Sequence, residues 1–162
     1  MKLYMKQKMF SLKGDFSIYD ENQVPVFRVE GKLLSFGRQL RLYDNDSGEE
    51  LAFIKQQLMT IMPKMNVSYH GEHVATISKK FTFLKPSYEI SEIGWSIAGD
   101  FWGHDYTVYD GNGQMIADIN KKFFSWSDTF EINIVQDDID PAIVIAIVLA
   151  IDAAMDASQN SA

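Results

Sequence analysis

Ala142-Ile143-Val144-Ile145-Ala146-Ile147-Val148-Leu149-Ala150-Ile151 is a run of ten apolar residues near the end of a chain whose other segments alternate apolar with polar. Read as a helix, it has no polar face, and a helix apolar all round must be enclosed by protein or by lipid. Ten helical residues reach roughly 15 Å, about half of a bilayer core, so no transmembrane span is expected. Ile and Val also favour strands, but three features favour a helix. Asp140 suits an N-cap and Pro141 the first helical position. Ala142, Ala146, Ala150 and Ala154 recur every fourth residue as a small-residue ridge. Asp137, Asp138 and Asp140 put negative charge where a helix N-terminus favours it. The helix is expected over about 141–154, with Ile143, Ile145, Ile147, Leu149 and Ile151 in the core and 157–162 as a flexible tail.

Upstream, one pattern recurs: apolar, any, apolar, two variable residues, Lys or Gln, apolar. It reads Phe27-x-Val29-x-x-Lys32-Leu33, Ala52-x-Ile54-x-x-Gln57-Leu58, Ala75-x-Ile77-x-x-Lys80-Phe81 and Ala117-x-Ile119-x-x-Lys122-Phe123. Turn signals precede the copies: Asp20-Glu21-Asn22, Asp44 to Gly48, His70-Gly71-Glu72 and Asp110 to Gly113. The first and last copies match at length, Tyr19-Asp20 answering Tyr109-Asp110. Short strands at this spacing make an antiparallel meander. About a dozen strands exceed a comfortable open sheet, so closure into a barrel is expected. A barrel that wide needs something in its lumen, and the final helix is the apolar candidate. The chain reads as one domain over residues 1–156.

Composition narrows the function. The 162 residues include no cysteine, which removes disulfides, thiolate zinc sites and cysteine nucleophiles. The net charge of −7 disfavours nucleic acid as a partner. Met1 to Phe10 has no continuous apolar stretch, so no secretory signal is expected and a cytoplasmic location is the default.

The Tyr19-Asp20 and Tyr109-Asp110 turns, the Lys-plus-apolar motif, the stretch Trp95-Ser96-Ile97-Ala98-Gly99-Asp100-Phe101 and the Asp140-to-Asp152 helix resemble, in order, the LURP-one-related family. That resemblance runs from about Lys2 to Ala154. It implies a tubby C-terminal-like fold, shared with phospholipid scramblases: a twelve-stranded barrel around a hydrophobic C-terminal helix. The family's activity is poorly defined. Tubby domains bind phosphoinositide headgroups through basic residues, but that basic site has no residue-by-residue match here.

For binding, the candidates are Lys32, Lys79, Lys80, Lys121 and Lys122, which fall at equivalent repeat positions. With Lys85, Arg38 and Arg41 they could form a basic patch for a lipid phosphate or another anion; the plainer reading is lysines guarding strand edges. His70 and His73 flank a turn, so their side chains need not converge on a metal, and Asp44-x-Asp46-x-Gly48 lacks the acidic twelfth ligand of a calcium loop, Lys55 standing there. No metal, cofactor or catalytic residue is assigned. Phe123-Phe124 cannot both face inward on a strand, a hint of a partner surface shared with Trp95, Phe101, Trp102 and Trp126. The expectation is a non-enzymatic binding or scaffold module, docking to anionic phospholipid or to a protein through its outer surface, cytoplasmic and peripheral to the membrane. The alternatives are a hydrolase using His104 at a barrel mouth, and a carrier of a small apolar ligand, which requires the helix to leave the lumen.

Overall fold

The computed structural model describes residues 1–6, 14–124 and 127–160, with side chains described outside 123–128 and 159–160. Twelve antiparallel strands precede one helix. They are β1 (Lys2–Lys6), β2 (Gly14–Tyr19), β3 (Pro25–Leu34), β4 (Gly37–Asp44), β5 (Glu50–Gln57), β6 (Lys64–Tyr69), β7 (Glu72–Lys80), β8 (Ser87–Ser91), β9 (Ser96–Asp100), β10 (Asp105–Tyr109), β11 (Met115–Phe124) and β12 (Ser127–Ile134). The helix α1 spans Pro141–Asn160. The strands pair in the order β8-β7-β6-β5-β4-β3-β2-β1-β12-β11-β10-β9. The β1–β12 ladder, Lys2↔Asn133 to Lys6↔Thr129, joins the two ends of the meander. What remains is a nearly closed barrel whose seam lies between β8 and β9.

The recurring motif occupies β3, β5, β7 and β11, staves that all run the same way. Its central residue, Val29, Ile54, Ile77 or Ile119, is buried on the inner face. The small Ala52, Ala75 and Ala117 two residues earlier also face inward. Two of the turns repeat atom for atom. Asp20 Oδ1 accepts from the N–H groups of Asn22 (2.8 Å) and Val24 (2.9 Å). Asp110 Oδ1 accepts from those of Asn112 (2.8 Å) and Gln114 (3.0 Å). Each is an Asx turn holding its own hairpin.

The helix lies inside, packed most closely on β4, β5, β6 and β7. Ile145, Ile147, Leu149 and Ile151 are buried, and so are the alanines between them. Ile143 departs from the expectation: it is only partly buried, because the first turn still emerges from the barrel. The helix is also longer than expected. It continues through 157 to Asn160, with Ala157 buried, so the start of the expected tail is core; 161–162 lie outside the described residues. At 20 residues it reaches about 30 Å, enough for a bilayer core. The length argument against a span therefore fails, and the burial of 78% of its apolar window inside the barrel takes its place.

Asp140 caps the helix, its Oδ1 accepting from the Ala142 N–H at 2.9 Å. Tyr69 of β6 donates its hydroxyl to the other oxygen of Asp140. Burial, with the adjacent Asp140 carboxylate, pushes the Tyr69 phenol up to about 12.

Candidate functional site

Antiparallel order gives the barrel two chemically different ends. The connections β2–β3, β4–β5, β6–β7, β8–β9 and β10–β11, and the lead into the helix, lie at one end. They are polar and acidic, with Asp20, Asp44, Asp46, Asp110, Asp137 and Asp138 among them. The Asp20, Asp44 and Asp110 carboxylates are used by their own turns. Asp44 Oδ2 accepts from the Ser47 N–H at 2.7 Å and the Ser47 hydroxyl at 2.8 Å, which holds its carboxyl below the usual range. His70 and His73 face different carboxylates, Glu49 at 3.7 Å and Glu92 at 2.7 Å.

At the other end, hereafter the crown, lie the connections β3–β4, β5–β6, β7–β8 and β9–β10, consecutive around the barrel. Residues 33–36, 58–63, 81–86 and 101–104 contain no acidic side chain, and the exposed Asp100 and Asp105 bracket the last of these stretches. Ten of the fourteen exposed large apolar side chains among the described residues sit here: Leu33, Leu34, Phe36, Leu58, Met59, Ile61, Phe81, Phe83, Leu84 and Trp102. Pro63 and Pro86, at the feet of β6 and β8, fix φ where two of these loops re-enter the sheet. The connections 7–13 and 125–126 lie outside the described residues, as do the Phe123 and Phe124 side chains and Trp126.

The five candidate lysines all belong to this end, but they divide. Lys32, Lys80 and Lys122 are exposed on the outer face of β3, β7 and β11. Those staves are four strands apart, so the lysines are separated by roughly 19 Å along the sheet. They make a ring rather than one pocket. Lys80 faces Glu89 at 3.7 Å across exposed surface, and Lys122 faces the largely buried Glu131 at 3.9 Å. Lys79 and Lys121 alternate to the inner face. Lys79 Nζ donates to the Ser158 hydroxyl of the helix. Lys121 lies near His104, whose imidazole pKa it helps to lower. Lys64 and Lys85 add charge to the rim. Arg41 does not: it sits partway down β4, stacked on Phe53 at 4.0 Å, in a depression of about 150 Å³ on the outer wall, well under the roughly 300–1,000 Å³ of ligand pockets.

Beneath the crown, behind the seam, the C-terminal half of the helix meets a polar cluster. Arg38 Nη2 donates to Asp156 Oδ2 at 2.7 Å. Asp152 is buried, with His104 Nδ1 at 3.9 Å from its Oδ1. Tyr106 is fully buried beside it, and its hydroxyl has no hydrogen-bond partner among the described residues. Burial pushes the Asp152 carboxyl well up and the His104 imidazole down. Each shift favours the neutral form of its group. His104 thus approaches a carboxyl, but that of Asp152, three strands' worth of chain and a helix away in sequence, and not its neighbour Asp105. The approach exceeds hydrogen-bond distance.

The family model for LURP-one-related proteins matches residues 1–152. The chain belongs to the LURP-one-related family. Within it, the chain is similar to YxjI of Bacillus subtilis (strain 168), a protein of uncharacterized function, at 38% identity over 138 residues, covering 85% of this chain and 84% of YxjI. The fold is that of a solved protein from Arabidopsis thaliana, with a TM-score of 0.69 and 16% identity over 93% of this chain and 88% of that one. Family membership accounts for the barrel and its helix. It assigns no activity, so the chemistry must come from the two ends of this LURP-one-related barrel. Sequence reading missed the crown's apolar tips and Asp152. The signal for the first was present: Leu58-Met59-Thr60-Ile61-Met62 and Phe81-Thr82-Phe83-Leu84 occupy hairpin connections, where polar turn residues are the rule.

Proposed function

We propose that this chain is a non-enzymatic docking module that settles on an anionic membrane surface with its crown, peripheral to the cytoplasmic face. The observation that carries the reading is the opposition of charge between the ends: acidic turns at one, a ring of lysines at the other. A net charge of −7 would repel an anionic surface from a uniformly charged body, but a polarised one is steered and oriented by it. Lysines spread around a rim suit a broad, flat field of phosphates better than a single headgroup, and each is worth about 1 kcal/mol near such a surface. The exposed Lys80–Glu89 pair contributes little to stability, so exchanging it for a lipid phosphate costs little.

Flotation with liposomes tests this. Association is expected with phosphatidylserine-containing vesicles, weakening as salt screens the rim and lost on Lys32→Glu, Lys80→Glu and Lys122→Glu together. Binding indifferent to salt and to these changes would reject it. The hydrolase reading has the Asp152–His104 approach in its favour, but at 3.9 Å the two are not hydrogen-bonded, and it requires a path from solvent to the buried Asp152. Ester hydrolysis abolished by His104→Gln would revive it. The carrier reading needs a lumen that the helix fills.

A further inference from the structure

Resting on that reading, we infer that the crown does more than touch the headgroups: its loop tips insert into the bilayer interface, so that the barrel stands on end with the C-terminal helix along the membrane normal. Met59 and Ile61 are wholly exposed (104% and 101%), Phe83 and Leu84 nearly so (92% and 88%), and Trp102 stands across the seam at 65%. Isolated exposed apolar residues are ordinary, whereas a contiguous set at one end marks a binding surface. These tips are convex. They protrude from separate hairpins, nearly or wholly exposed, and a rigid protein partner would have to match each protrusion in place. A fluid bilayer accommodates protrusions of any shape. The surrounding chemistry fits the same occupant: the loops that carry Ile61 and Phe83 hold no carboxylate, the nearest at the crown being Asp100 and Asp105 on either side of the Trp102 loop, Lys85 sits beside Leu84, and the outward lysines lie just behind the tips, at headgroup depth when the tips are in the acyl boundary. Trp102 has the amphipathic ring that favours the interface. The acidic end, about a strand's length away, is then held in water.

The absence of cysteine makes the depth measurable. Single variants Ile61→Cys, Phe83→Cys and, at the acidic end, Asn112→Cys would be labelled with an environment-sensitive NBD fluorophore and mixed with phosphatidylcholine–phosphatidylserine vesicles. A blue shift and gain in intensity are expected at 61 and 83 and none at 112. Because both tips are solvent-exposed, Ile61→Ser and Phe83→Ser should leave folding intact, and each should weaken partitioning by about tenfold. Flotation with all three labels still water-exposed would overturn insertion and leave surface docking standing. Loss of flotation altogether would overturn both. A blue shift at 61 and 83 that needs no vesicles and grows with protein concentration would make the crown a self-association face, and would also overturn the inference.

Discussion

Asp152 is a carboxyl group placed where a carboxylate is costly, on the buried flank of the helix facing His104, Tyr106 and Tyr88. Its folded-state pKa lies well above that of the unfolded chain, near 4. Below that value both states hold the proton and the residue is neutral to stability. As pH rises beyond it, the unfolded chain releases the proton and the folded one keeps it, so stability falls with pH until the folded carboxyl itself titrates. His104 has the opposite sign: its imidazole is depressed by burial, so it costs stability as pH drops below about 6.5. Asp152→Asn should therefore raise the melting temperature more at pH 7 than at pH 4. Equal effects at both would show that the carboxyl is ionised in the fold. Gly99 makes a second prediction at this scale. Its φ is +141°, and a Cβ there would stand 2.5 Å from the Asp105 carbonyl oxygen and 2.6 Å from the Tyr106 Cα, backbone atoms that cannot step aside. Gly99→Ala should cost about 1–3 kcal/mol in denaturant unfolding. Neither residue was legible beforehand. A lone Asp after ten apolar residues reads as the end of a buried stretch, and a glycine's φ depends on the strand that crosses it.

At the scale of elements, the helix was legible because its start is written locally. Asp140 and Pro141 are a cap and a first-turn residue wherever they stand, and the apolar run permits only enclosure. Its end was not, since no glycine or proline follows Asp152 to stop it. The last turns are held by tertiary partners instead, Arg38 on Asp156 and Lys79 on Ser158, basic groups placed where the helix dipole is negative. The N-cap can be separated from its outer support. Asp140→Ala should destabilise by about 1 kcal/mol from the lost Ala142 N–H bond, and more because Tyr69 loses its acceptor. Tyr69→Phe in the Asp140→Ala background should then cost less than it does alone. Additive losses in that double-mutant cycle would mean the Tyr69–Asp140 contact carries no coupling.

For the whole molecule, the barrel followed from repeat spacing, while its polarity needed the topology. Lys32, Lys80 and Lys122 fall some forty to fifty positions apart in the chain and become one rim only because β3, β7 and β11 run the same way. The same arrangement makes the helix indispensable. Leu3, Val29, Ile54, Val67, Ile77 and Ile132 line the inner face of staves drawn from the entire chain, and all are fully or almost fully buried. The β1–β12 ladder that joins the ends of the meander pairs residues more than 120 positions apart, a contact whose loop-closure cost falls early and whose return comes only once the core is complete. Without residues 139–162 these side chains would line a water-filled tube, forfeiting roughly 1.5–3 kcal/mol for each large one left exposed, against a total stability of about 5–15 kcal/mol for a domain. Truncation after Asp138 should therefore yield aggregated protein with no cooperative melting transition, whereas removing only 161–162 should leave the transition unchanged. A soluble monomer that unfolds cooperatively after the longer truncation would mean the staves can close on themselves, and would give the barrel a cavity for an apolar ligand.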